Sequence, residues 1–225
     1  MYLCNEECER YIDIIMSKMP VVRISQLEKA LYNLSKNIKT KEDAYFILLN
    51  YQRKNHIFLT EDGYALTKQA YIISTNDRGL NDVNKNDLLP KMENTHKKKK
   101  LLTNHIYALN FVIDLLPDSL DFIVNTYPPI LLSFEYQNQD GDNIIYEIIK
   151  FNDDIFLTKE LLRNMPKYLN EEKEKVIRIA IIDNEDIKKS IPYYGIKYIC
   201  KIDNRNHRGY KVLEEREGDL WKELY

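Results

Sequence analysis

Between Asn5 and Met19 the apolar positions Cys8, Tyr11, Ile12, Ile15 and Met19 recur three or four residues apart, which predicts a helix that Pro20 closes. A short extended piece, Val21 to Ile24, follows. Ser25 with Glu28 three residues on has the form of a capping box, and Leu27, Ala30 and Leu31 continue it as one face of a second helix. Thr40 with Asp43 opens a third helix, whose stripe is Ala44, Ile47, Leu48 and Tyr51. Ile57–Leu59, the turn residues Glu61, Asp62 and Gly63, and then Tyr64, Ala65 and Leu66 read as two short strands of a hairpin. Three helices and a hairpin in this order predict a winged helix-turn-helix domain over residues 1–75, with the third helix in the recognition position.

The pattern changes at Ser74. Residues 76–95 are rich in Asn and Asp and contain Gly79 and Pro90, so they read as a connector. From Lys97 to Leu116 the positions Leu101, Leu102, His105, Ile106, Leu109, Val112, Ile113 and Leu116 predict a long helix ended by Pro117 and packed on a second domain. Strands are expected at Phe122–Asn125, Ile130–Tyr136, Ile144–Phe151, Val176–Ile182, Ile196–Ile202 and Tyr210–Leu213. Helices are expected at Thr158–Leu169 and Asn184–Ser190, and a frayed one carrying Trp221 at the end. The fold class is therefore α+β, a winged helix-turn-helix domain followed by a small mixed α/β sheet domain over residues 96–225.

Composition narrows the function. In 225 residues, 44% hydrophobic and 30% charged, no run approaches the apolar length that crosses a bilayer, and Glu6, Glu7 and Glu9 stand where a signal peptide is basic; a cytoplasmic protein with no membrane partner is expected. Three cysteines make no disulfide framework, and Cys4 and Cys8 lack the further ligands of a metal site, so neither metal nor cofactor is expected. There is no phosphate-cradling glycine motif. A net charge of −2 is not that of a strongly basic nucleic-acid binder, but Lys85, Lys91 and the run Lys97, Lys98, Lys99 and Lys100 concentrate positive charge beside the first domain.

Double-stranded DNA is the partner these features favour. The outer face of the third helix offers Lys41, Tyr45, Gln52, Arg53 and Lys54, and the lysine run supplies the phosphate contacts. Against it stand Glu42 and Asp43 at the helix start and Glu61 and Asp62 at the hairpin tip, so a scaffold whose third helix binds protein stays open. A homodimer is the common arrangement for such readers. Metal-dependent nuclease chemistry is the other alternative. It needs an acid on one strand and an acid and a lysine on one face of the next. Glu135, Glu147 and Lys150, with the loop acids Asp140 and Asp142, come near this, yet Glu147 and Lys150 are three apart and point to opposite faces unless a bulge intervenes. The 17 tyrosines have no clustered histidines beside them, as nicking by a tyrosine nucleophile requires, because His56, His96, His105 and His207 are scattered.

The helix Leu101-x-x-Asn104-His105-Ile106-Tyr107-Ala108-Leu109-Asn110 after a winged helix, then Tyr127-Pro128-Pro129 and an α/β domain, resembles the replication-relaxation family of Gram-positive plasmids and mobile elements. The resemblance implies a winged helix joined to a degenerate domain similar to the PD-(D/E)XK nuclease fold. It further implies a regulator or accessory factor in plasmid replication or transfer, with replication or transfer proteins as partners. Active members of that nuclease fold carry Pro-Asp and Glu-x-Lys; here Pro128-Pro129 and Glu147-x-x-Lys150 stand instead, which implies no catalytic residues and DNA binding without cleavage.

Overall fold

The computed structural model describes residues 5–34, 38–54, 56–70, 95–116, 120–125, 130–137, 141–151, 175–191, 196–203, 205 and 208–215. The connector expected at 76–95 is described only at its last residue. The helix expected at 158–169, the C-terminal helix with Trp221, and Cys4, Pro128 and Asp140 lie outside the described residues. The chain is α+β and divides into two compact units, 1–120 and 121–225.

The first unit opens with α1 (Asn5–Lys18), which buries Cys8, Ile12, Ile15 and Met16 along one side. β1 (Val21–Arg23) leads without a loop into α2 (Ile24–Leu34). This start differs from the Ser25–Glu28 box expected from the sequence. The helix begins one residue earlier, Ser25 is exposed, and the Arg23 backbone N–H donates to Gln26 Oε1 at 3.1 Å, so Gln26 supplies the back-bond of the box. α3 (Lys41–Arg53) starts as expected. Thr40 Oγ1 accepts from the Asp43 N–H at 3.1 Å, and Asp43 Oδ2 accepts from the Thr40 N–H at 3.0 Å. Ala44, Leu48 and Tyr51 face the core.

β2 (Ile57–Leu59) and β3 (Tyr64–Thr67) form an antiparallel hairpin, and β1 pairs with the other edge of β3, giving the order β1-β3-β2. In the loop, the Gly63 N–H donates to the Thr60 carbonyl at 3.1 Å and the Thr60 N–H to the Tyr64 carbonyl at 2.8 Å. Gly63 sits at φ +82°, the left-handed residue that closes a three-residue hairpin loop.

α4 (Thr95–Leu115) is the long helix the periodicity predicts, but it belongs to the first unit and packs on α2 and β1. The expectation that it packs on the second domain is corrected by its polar contacts. Gln26 Nε2, buried, donates to the Ile106 carbonyl and, at 2.9 Å, to Asn110 Oδ1. Lys29 pairs with Asp114, and Arg23 Nη2 donates to the Tyr107 hydroxyl at 3.0 Å.

The second unit is a six-stranded sheet in sequential order: β4 (Ile123–Val124), β5 (Ile130–Gln137), β6 (Asn143–Lys150), β7 (Lys175–Ile182), β8 (Ile196–Ile202) and β9 (Tyr210–Glu215). The β6–β7 and β7–β8 pairs are parallel and the outer pairs antiparallel. One face buries Leu132, Phe134, Tyr146, Ile148, Ile177, Ile179 and Tyr198; the Phe134 and Tyr146 rings stack at 4.9 Å. The opposite face buries Ile149, Ala180, Ile182 and Ile199 under Ile187 and Ile191, which flank or occupy a 3₁₀ turn at Glu185–Ser190 capped by Asn184. Cys8 and Cys200 are buried free thiols, and burial pushes the Cys200 thiol well up.

Candidate functional site

Four of the five side chains expected to read DNA from α3, namely Lys41, Tyr45, Arg53 and Lys54, are exposed, and Gln52 is half-buried. They do not make a common cationic surface. The Lys54 ammonium pairs with Glu9 of α1, and Arg53 Nη1 lies 3.4 Å from Asn50 Oδ1. Lys41 sits close enough to Glu28 of α2 to draw its carboxyl down, yet burial, the larger effect, and Glu42 leave that carboxyl above its usual range. The Asp43 carboxylate is occupied by the cap. At the hairpin tip Glu61 and Asp62 are exposed.

What dominates the outer side of α3 is a residue the sequence reading did not select. Phe46 is 64% exposed, Tyr45 beside it 40%, and Tyr32 on α2 51%. The signal was available: at 100° per residue, position 46 lies opposite the Ala44, Leu48 and Tyr51 stripe, and a phenylalanine there has no core to enter. Below it, Tyr51 hydrogen-bonds to Asp13 and stacks on His56 at 4.9 Å; burial and the Asp13 carboxylate raise its hydroxyl far above the ordinary phenol range.

The lysine run occupies the first two turns of α4, since the helix spans Thr95–Leu115. Because Gln26, Lys29 and Arg23 all hold α4 to α2 and β1, Lys97, Lys98, Lys99 and Lys100 belong to the same compact unit as α3 and the hairpin. A helix start already carries the positive end of the backbone dipole, so four lysines there repel it and each other. An anion relieves that repulsion.

In the second unit a cleft of about 370 Å³ opens over β4, β5 and β6, lined by Asp121, Asn125, Ser133, Glu135 and Glu147 among apolar residues. Ser133 lies opposite Glu147 in register, and Asn125 Nδ2 donates to Ser133 Oγ at 3.2 Å. Glu147, 6% exposed, accepts from Arg178 Nε at 2.8 Å, so a guanidinium takes the place a metal ion or a lysine holds in a nuclease site. Lys150 pairs instead with Asp183. The register of β6 against β7 runs without a break from Ile144 to Lys150, so no bulge brings Glu147 and Lys150 to one face. Glu135 is exposed, opposite Ile145, and Asp142 is exposed before β6. Among the described residues no cluster of three or more His, Cys, Asp or Glu side chains is arranged to hold a metal ion.

No helix among the described residues is long and apolar enough to cross a membrane. Comparison of the chain with protein-family models, curated proteins and solved structures returns no match.

Proposed function

We propose that this protein binds double-stranded DNA without cleaving it, as a regulator or accessory factor, with the first unit as a winged helix. Support for the winged helix comes from the order α1-β1-α2-α3-β2-β3 and the sheet order β1-β3-β2, which are those of that motif. The observation that carries the DNA reading is the attachment of the lysine-bearing helix α4 to this unit through Gln26. It gives the unit the phosphate-neutralising charge that α3 lacks. Charge is divided accordingly along the chain: Lys and Arg outnumber Asp and Glu over residues 1–120, and the reverse holds over 121–225.

The sheet unit is read as having no hydrolytic role, because Glu147 is neutralised by Arg178 and Lys150 lies on the other face. Duplex incubated with the protein and Mg²⁺ or Mn²⁺ stays intact in this reading. Cleavage that disappears in Glu147→Ala would replace it with the nuclease alternative. The binding test is a titration of duplex DNA followed by anisotropy at low and moderate salt, with the variant Lys97, Lys98, Lys99 and Lys100→Ala alongside. Wild type binds and loses affinity steeply with salt, and the variant loses most of both. Absence of binding at low salt, or binding indifferent to the four lysines, overturns the reading.

A further inference from the structure

We infer that the outer face of α3 is a self-association surface that takes a second copy of this chain in an antiparallel, two-fold helix pair. Four residues form a narrow stripe along that face: Glu42, Phe46, Leu49 and Arg53, spaced four, three and four apart and diametrically opposite the buried Ala44, Leu48 and Tyr51. Glu42, Phe46 and Arg53 are exposed and Leu49 half-buried.

This stripe is its own complement. A two-fold axis perpendicular to the helix, passing between Ile47 and Leu48, sets Glu42 of one copy against Arg53 of the other and Phe46 against Leu49. Tyr45 then meets Asn50, and each contact occurs twice, as in any isologous interface. The apolar pair sits at the centre and opposite charges at both ends, which is the arrangement of a small interface with a hydrophobic middle and a polar rim. A parallel pairing of two copies does the opposite, setting Glu42 against Glu42 and Arg53 against Arg53. Duplex DNA is a poorer occupant: Glu42 at the helix start and the exposed Glu61 and Asp62 at the hairpin tip repel phosphates. Exposing a phenylalanine to 64% is costly for a face meant only for solvent. The inference goes beyond the DNA-binding reading and does not depend on it, since the phosphate contacts proposed above lie on α4.

Charge reversal gives a test specific to this geometry. Within one helix Glu42 and Arg53 are eleven residues, about 16 Å, apart and do not meet, so any compensation between them passes from one copy to the other. Sedimentation of the full chain over a concentration series is measured for wild type, Glu42→Arg, Arg53→Glu and the double reversal, with circular dichroism to check folding. Wild type is expected to self-associate to a dimer, each single reversal to weaken it about tenfold by turning two attractions into repulsions, and the double reversal to recover it. Phe46→Gln provides a charge-neutral second variant that also weakens the dimer. A wild type that is monomeric throughout, a dimer indifferent to both reversals and to Phe46→Gln, or a double reversal that recovers nothing overturns the inference. So does a loss of duplex affinity in Phe46→Gln with no change in association, which would seat DNA on α3 instead.

Discussion

Single residues carry more of this structure than their types suggest, and Gln26 is the clearest example. Its carbonyl oxygen caps α2 by accepting from Arg23, and its amide nitrogen reaches the Ile106 carbonyl and Asn110 on α4, about eighty residues along the chain. Gln26→Ala leaves buried partners unsatisfied and is expected to cost about 3 kcal/mol, measured by urea denaturation. Gln26→Glu should cost more at neutral pH, because a carboxylate faces two acceptors with nothing to donate; equal stability to wild type in either variant contradicts this bonding. Glu147 and Arg178 are coupled in the same sense. Removing either alone strands a largely buried partner, at about 3 kcal/mol, while the double substitution to apolar residues costs less than the two singles together. Glu28 is a smaller case with a definite sign. Its carboxyl, raised above 4.5 chiefly by burial, favours folding when protonated, and that contribution is lost as pH rises through the raised value. Glu28→Gln should therefore raise the Tm at pH 7 and leave it unchanged well below pH 4.5, with calorimetry at the two pH values as the check.

At the scale of elements, the ends of helices and the hairpin were legible where a local chemical pattern decides them. Thr40 and Asp43 make the box their spacing announces, and Gly63 takes the left-handed position that the Asp-Gly signal requires. Thr40→Ala is expected to lose about 1 kcal/mol of stability to urea. Gly63→Ala should lose a similar amount through backbone strain alone, because an added Cβ meets nothing within 4 Å. Where two local patterns compete, the sequence is ambiguous: Ser25 and Glu28 offer a box, but Gln26 satisfies the chain end one residue earlier and is fixed there by α4. The same limit explains α4. Its periodicity announces a buried face and says nothing of what buries it, which is decided by Gln26, Lys29 and Arg23 far upstream. The parity of β6 was legible because alternation in a strand needs no partner, and so Glu147 and Lys150 part as their spacing implies; that Arg178, on a different strand, answers Glu147 was not. Phe46 was legible by its angle on α3 and passed over because donors were sought there instead.

For the whole molecule, the proposed account separates two roles within the first unit. The helix α4 meets phosphates with its lysine run, and α3 meets a second copy of the chain, while the sheet unit keeps the frame of a cleft whose one buried acid is neutralised. The acidic balance of the chain as a whole then presents no contradiction, because DNA responds to charge within a Debye length and not to a net count. The measurement that tests this most directly is the salt dependence of duplex binding by the intact chain and by its Lys97, Lys98, Lys99 and Lys100→Ala variant, compared as log Kd against log salt. The account predicts that the wild-type slope exceeds the variant's by about 3 to 4, near one per lost phosphate contact. Equal slopes, or no duplex binding by wild type at low salt, would contradict it.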